Sequence, residues 1–140
     1  MVYRPSSPFH MKTINPKSLG RPRGYSNGQL TREGARLLFI AGQIGWDEEQ
    51  RLVSDDFVEQ FERALRNVLA VVLEAGGAPG GVARLVVYVT DKREYLARTE
   101  EIGERWRALM GRHYPAMALV EVKGLLEDGA KVEIEAVAAL

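Results

Sequence analysis

The run RLVVYV at residues 84–89 constrains the fold more than any other feature of the sequence. Because successive side chains of a strand point to opposite faces of a sheet, Leu85 and Val87 face one way while Val86 and Tyr88 face the other. Both sets are apolar, which is typical of a strand covered on both sides. Helices can cover one face, and in a chain of 140 residues a second copy is the partner expected on the other. We therefore predict a homo-oligomer, with a monomer closed like a barrel as the alternative.

Periodicity elsewhere in the chain predicts an α+β fold, a mixed sheet with two helices packed on one face. Apolar residues recur at helical spacing over residues 57–72 and again over 96–110, and each series is followed by glycine. Apolar runs rich in β-branched residues predict the strands, and a short extra strand is expected near 29–31. These runs are RLLFIAGQI (36–44), VARLVVYVT (82–90), AMALVEV (116–122) and KVEIEAVAA (131–139).

The first residues differ in composition from the rest of the chain. MVYRPSSPFH is rich in proline and serine and has no periodicity, and Met11 could itself be the natural start. We expect residues 1–12 to form a tail and residues 13–140 to form one domain. A second domain does not fit into the remaining length.

Charge and composition argue against several classes of partner. Nineteen basic and nineteen acidic residues balance, so no overall field favours nucleic acid or an anionic membrane. The chain has no cysteine and two distant histidines, which makes a metal site unexpected. Its apolar runs are too short to cross a bilayer, and the N-terminus lacks the apolar core of a signal peptide. We expect a cytoplasmic protein.

The last two predicted strands carry the acidic residues of interest. Glu133 and Glu135 share one face of the last strand, and Glu121 shares a face with Met117 on the strand before it. If these strands form a hairpin, Glu121 lies near Glu133, and neighbouring carboxylates raise each other's pKa toward the range of an acid or base catalyst. The alternative is that these glutamates are ordinary solvated or salt-bridged strand residues.

Several segments, in the same order along the chain, resemble the RidA/YjgF family, also called L-PSP endoribonuclease-like proteins. They are GYSNG (24–28), LFIAGQIG (38–45), VEQFERALRNVLAVVLEAGG (58–77), YPAMALVEV (114–122) and VEIEAVA (132–138). The resemblance implies a homotrimer of chorismate-mutase-like subunits, whose sheets line a central barrel and whose clefts lie between subunits. It also implies hydrolysis, without a cofactor, of imines and enamines derived from amino acids, such as 2-aminoacrylate.

The resemblance assigns roles to particular positions. Tyr25 matches the tyrosine beside the cleft, and Glu133 matches the glutamate that positions or activates water. The arginine that holds the substrate carboxylate in active deaminases is replaced by Met117, and a gap-free alignment places Glu100 where these enzymes often carry asparagine. Because methionine offers polarizable apolar surface and no donor, this replacement predicts a different ligand, with an apolar or aromatic part against Met117.

Other side chains could complete such a site. Arg23 is the first candidate to replace the missing cation, and its alternative is a solvated loop residue. His113 could carry a proton at the cleft mouth or simply cap the helix before it. Trp46 could stack on a flat ligand or pack between subunits, and Glu121 could line the cleft beside Met117.

Two hypotheses for the function have support in the sequence, while a third, a chaperone-like or nucleic-acid role, has no positive feature in it. The first is a deaminase or hydrolase of altered specificity, in which Glu133 directs water and Tyr25 shapes the cleft. The second is a non-catalytic trimer that binds a metabolite or a partner protein. Retention of Tyr25 and Glu133 favours the first, and loss of the arginine at Met117 favours the second.

Overall fold

A computed structural model describes residues 11–140, and its largest element is a mixed sheet of four strands with helices on one face. The strands are β1 (Met11–Ile14), β2 (Gly28–Thr31), β3 (Leu37–Ile44), β4 (Val82–Val89), β5 (Ala116–Glu121) and β6 (Val132–Ala139). The helices are α1 (Phe57–Glu74), α2 (Lys92–Ala97) and α3 (Thr99–Met110), with short 3-10 turns at Lys17–Leu19 and Pro79–Gly81. These elements confirm the predicted α+β fold.

The main sheet has the strand order β3-β6-β4-β5. Its pairs are antiparallel except for β4 and β5, which run parallel. Strands β1 and β2 form a separate two-stranded antiparallel sheet, which contains the extra strand predicted near 29–31. Met11 and Lys12 begin β1, while the rest of the expected tail, residues 1–10, lies outside the described residues.

The predicted pairing of the last two strands is wrong. Strand β4 lies between β5 and β6, so Glu121 is opposite Val89 while Glu133 is opposite Tyr88. The connection crosses the end of β4, where Val122 N donates to the Val89 carbonyl at 2.8 Å. Glu121 and Glu133 therefore do not form the expected carboxylate pair.

The second predicted helix is divided into α2 and α3 at Arg98, whose backbone leaves the helical region at φ −132° and ψ 30°. The Arg98 guanidinium binds Asp56, which caps α1, and Glu101 in the first turn of α3. These ion pairs join the two helical segments to the start of α1.

The hydrophobic core lies between α1, α3 and one face of the sheet. Leu85, Val87 and Ile134 face the helices and are fully buried. The opposite face carries Tyr88 and Glu133 from neighbouring strands and is not covered by any described helix. No helix within residues 11–140 is both long and apolar enough to span a membrane.

Candidate functional site

Two cavities lie on opposite faces of the main sheet. The first, which we call the Met117 cavity, has a volume of about 470 Å³ and lies between β5 and the helices. The second, the Glu133 groove, has a volume of about 450 Å³ and lies over the open face. Met117 is opposite Leu85 on the helix-covered face, whereas Glu133 is opposite Tyr88 on the other. A single chain therefore does not bring Met117 and Glu133 into one site.

The inner wall of the Met117 cavity is part of the hydrophobic core. Phe61, Val87, Ile102 and Trp106 line it and are at most 5% exposed. Tyr95, Thr99 and Gly103 complete the helical side, and Leu119 continues the strand beyond Met117. The cavity is thus mostly apolar, with polar side chains at a few points of its lining.

The loop before β2 forms another part of this lining through Arg23 and Gly24. Ser26 fixes the loop beside β5, because its N–H donates to the Pro115 carbonyl at 3.0 Å and its hydroxyl donates to the Tyr114 carbonyl at 2.5 Å. Gly24 has φ +75°, a left-handed conformation that glycine adopts without strain. The loop therefore brings Arg23 to the cavity that Met117 also lines.

Arg23 and Tyr95 are lining residues of the Met117 cavity whose side chains carry hydrogen-bond donors. Within residues 11–140, neither the Arg23 guanidinium nor the Tyr95 hydroxyl has a hydrogen-bond or ion-pair partner. Burial raises the pKa of Tyr95, so its phenol stays neutral and keeps its proton. Both groups are therefore available to a ligand with an acceptor or an anionic group.

The Glu133 groove places a carboxylate against a glycine. A Cβ atom added to Gly42 would lie 2.6 Å from Oε2 of Glu133, so the glutamate side chain lies directly over the backbone of β3. The Tyr88 hydroxyl donates a hydrogen bond to Glu135, and this bond raises the pKa of Tyr88. Glu133 accepts no hydrogen bond from the described residues, so its oxygens are free to bind water.

The remaining predicted site residues lie outside the described lining of both cavities. Tyr25 follows Gly24 in the loop before β2 and is 40% exposed. The Glu121 carboxylate accepts from the Lys92 N–H at 2.9 Å. His113 Nε2 donates to the Val82 carbonyl at 2.6 Å, and the Trp46 carbonyl accepts from the Asn67 side chain at 2.9 Å. His113 and Trp46 make local structural contacts in the single chain.

Several lining residues were not identified from the sequence. Tyr95, Thr99 and Trp106 follow a helical spacing that could have marked them as one face. At the start of α3 it is Thr99, and not Glu100, that lines the Met117 cavity. Gly42, inside a strand, was a signal for close approach by another group, which proves to be Glu133.

Comparison with known proteins agrees with this fold. A family model described as Endoribonuclease L-PSP matches residues 19–140. A 2-iminobutanoate/2-iminopropanoate deaminase of Salmonella typhimurium is 31% identical over 105 residues, which cover 73% of this chain and 78% of that protein.

Solved structures extend the likeness to the whole fold. A protein of the conserved Rid family from Yersinia pestis, YyfB, is 30% identical with a TM-score of 0.82, covering 93% of this chain and 98% of that one. The Escherichia coli protein TdcF, solved with bound serine, is 27% identical with a TM-score of 0.64 and 96% coverage of both chains. The fold and the matching segments thus define a Rid-type protein. The chain belongs to the RidA/YjgF family of L-PSP endoribonuclease-like proteins, which includes reactive-intermediate deaminases.

Proposed function

We propose that this protein is a homotrimeric hydrolase that deaminates an imine carrying a carboxylate group, at sites between neighbouring copies. The observation that carries the proposal is the position of Arg23, which lines the same cavity as Met117 and whose guanidinium has no hydrogen-bond or ion-pair partner within residues 11–140. The cation absent from position 117 is thereby replaced within the cavity. A guanidinium binds a carboxylate through two parallel charge-assisted hydrogen bonds.

A second copy is needed because the two cavities lie on opposite faces of the sheet. The open face carries exposed apolar side chains, with Leu37, Phe39 and Val120 at 53%, 75% and 41% exposure. An exposed apolar surface of this kind supports association with a partner. The family resemblance implies that this partner is another subunit and that the Glu133 groove of one copy completes the Met117 cavity of the next.

The reaction requires water to attack the carbon of the C=N bond. Glu133 accepts a proton from the attacking water as the carbon–oxygen bond forms, and the C=N π electrons move to nitrogen. The proton then passes to the nitrogen and gives a carbinolamine. As the carbon–nitrogen bond of the carbinolamine breaks, its hydroxyl proton is transferred to the nitrogen and the carbon–oxygen double bond forms, so a keto acid and ammonia leave. Arg23 holds the substrate carboxylate, and Tyr25 is assigned to shaping the cleft from the neighbouring loop.

Deamination is tested by generating imines in solution with an amino acid oxidase and measuring the acceleration of ammonia release. The wild type should exceed spontaneous hydrolysis, and Glu133→Gln should lose roughly 10²-fold or more of the rate, since it removes the proton acceptor. Arg23→Met should raise KM by roughly 10²-fold, the effect of losing a charge-assisted carboxylate contact. Arg21→Met, a change of the same kind in the same loop, is the control and should behave as wild type.

The absence of arginine at position 117 also supports a second candidate, a trimer that binds a metabolite without transforming it. The variant Met117→Arg separates the two functions. Activity in the wild type supports the deaminase. No acceleration by the wild type, with activity only in Met117→Arg, contradicts the deaminase and favours the binding protein.

A further inference from the structure

The size of the Met117 cavity exceeds what a small imine requires. A cavity of about 150 Å³ accepts a benzene ring in other proteins, and the Met117 cavity has a volume of about 470 Å³. Its deepest walls are the core residues Val87, Ile102 and Trp106. The cavity therefore has room for an aromatic group beside an α-imino carboxylate.

The lining also favours an aromatic ring over other apolar groups. Met117 presents a polarizable thioether, which makes favourable contacts with ring edges. Tyr95 and Trp106 contribute ring surfaces on the helical side of the same cavity. Aromatic pairs gain stability beyond that of simple apolar burial.

The chemistry fixes which end of the ligand enters. If Glu133 comes from another copy, the reacting carbon stays at the cavity mouth. The carboxylate is bonded to that carbon, so it also stays near the mouth. Arg23 and Tyr95 line the same cavity, and within residues 11–140 their side-chain donors have no partner. The substrate side chain is then the part that enters the apolar interior.

We infer, on the basis of the proposed deaminase function, that the Met117 cavity selects 2-imino acids with an aromatic side chain. The ring lies against Met117 and Leu119, and the carboxylate is bound by Arg23 with the Tyr95 hydroxyl as a second donor. Tyr95 is thereby a specificity residue in addition to Arg23.

The test compares hydrolysis of the imines formed in solution from phenylalanine, leucine and alanine. The wild type should prefer the phenylalanine imine over the alanine imine by roughly 10- to 100-fold in kcat/KM, from burial of the ring. Met117→Arg should abolish this preference, and Tyr95→Phe should raise KM several-fold for every imine. Leu96→Ala, an exposed residue of α2 outside the lining, is the control and should keep the wild-type ratio.

A binding measurement separates failure of this inference from failure of the deaminase function. Calorimetry with the Glu133→Gln variant compares 3-phenylpropanoate with propanoate, so no turnover is needed. Tighter binding of 3-phenylpropanoate, lost in Met117→Arg, supports an aromatic site even if no imine is hydrolysed. Hydrolysis of the alanine or leucine imine at least as fast as that of the phenylalanine imine overturns the aromatic preference and leaves the deaminase in place. Equal binding of the two acids also overturns it.

Discussion

The two faces of the main sheet differ in almost every physical respect. On the covered face, Leu85, Val87 and Ile134 are fully buried against the helices. On the open face, Tyr88 binds Glu135, Glu133 lies over Gly42 without a hydrogen-bond partner among residues 11–140, and Phe39 is 75% exposed. The covered face stabilises the single chain. The open face places hydrogen-bonding and ionisable groups beside an apolar surface that no described helix covers. Under the proposed function, each chain thus carries two incomplete half-sites.

Under the proposed function, this separation means that folding and catalysis use different contacts. Removing an apolar contact from the covered face affects the stability of the chain, as in any core. A change on the open face leaves that core intact and acts on association and on chemistry. Variants of the two faces are therefore expected to affect different measurements.

The largest expected effect is that of a charge at Phe39, the most exposed of the three apolar residues on the open face. Phe39→Glu should prevent association, because burying an unpaired carboxylate in an interface is costly. We expect the mass in solution to fall to that of the 15.6 kDa chain and the deaminase rate to fall by roughly 10²-fold or more, since a cost of about 3 kcal/mol corresponds to that factor. Light scattering and the ammonia assay measure these two changes.

The control for this variant is Leu73→Glu, which places the same charge on an exposed apolar position of α1. Leu73→Glu should keep the oligomer. If Phe39→Glu retains both mass and activity, the site does not depend on the open face.

A substitution of Gln60 tests how far buried hydrogen bonds of the covered face stabilise the segment before the strand that carries Glu133. Gln60 is fully buried; its amide donates to the carbonyls of Ser54 and Gly129 at 2.8 and 3.0 Å, and its carbonyl accepts from the Lys131 N–H at 2.8 Å. Gln60→Leu keeps the approximate volume and leaves these three backbone groups unpaired. The free energy of unfolding should fall by about 3 kcal/mol.

Urea unfolding followed by circular dichroism measures this loss. Glu59→Leu, on the exposed side of the same helical turn, is the matched control and should change stability by less than about 0.5 kcal/mol. If the two variants lose the same free energy of unfolding, the buried hydrogen bonds of Gln60 do not stabilise the segment that leads into β6.

The covered face was largely predictable from the sequence, and the relation between the two faces was not. Helical periodicity defined α1 and alternation defined β6, while the continuous apolar run of β4 predicted two covered faces. The division at Arg98 has no glycine or proline to mark it, because it depends on ion pairs with Asp56 and Glu101.

The hairpin prediction was wrong for a related reason. The turn residues between β5 and β6 fit a tight hairpin as well as a connection that crosses β4, and only the parallel pairing of β4 with β5 decides between them. Alternation shows which residues share a face within one strand, so it could assign Met117 and Glu133 only to faces of their own strands. Whether these two faces lie on the same side of the sheet depends on the strand order, and in this sheet they lie on opposite sides.

Gly42 allows the open face to be altered without touching the core. In Gly42→Ala the new methyl group would meet Oε2 and Cδ of Glu133 at 2.6 and 2.8 Å, so the carboxylate has to move. A displacement of about 1 Å costs catalysis up to roughly 10²-fold. We expect kcat to fall by roughly tenfold or more while the midpoint of thermal unfolding stays near the wild-type value.

Gly124 provides a matched control for this variant. It lines the same groove, and a Cβ atom there would meet no atom within 4 Å. Gly124→Ala should therefore keep the wild-type kcat. If Gly42→Ala also keeps it, the position of Glu133 over β3 has no role in the reaction.

The smallest expected effect is that of Asp56, which lies at the start of α1 and contributes only to the stability of the covered face. Its side chain accepts from the Glu59 N–H at 3.1 Å as the helix cap and binds Arg98. Asp56→Ala should lower the free energy of unfolding by about 1 kcal/mol, and Asp55→Ala, an exposed neighbour, should not. The deaminase rate should be unchanged in both, because neither residue lies in the two half-sites.

The pH dependence of this effect identifies the charge as its source. The Arg98 guanidinium beside Asp56 holds the pKa of that carboxyl below its ordinary value of 3.8. A carboxyl whose pKa is lowered by folding stabilises the protein above the pKa of the unfolded chain and loses this contribution as the pH falls through the folded-state pKa. The stabilities of wild type and Asp56→Ala, measured by thermal unfolding, should therefore differ at pH 7 and converge as the pH falls below 3.8 and through the folded-state pKa of Asp56. A difference that persists unchanged at low pH would assign the effect to the neutral hydrogen bond of the cap.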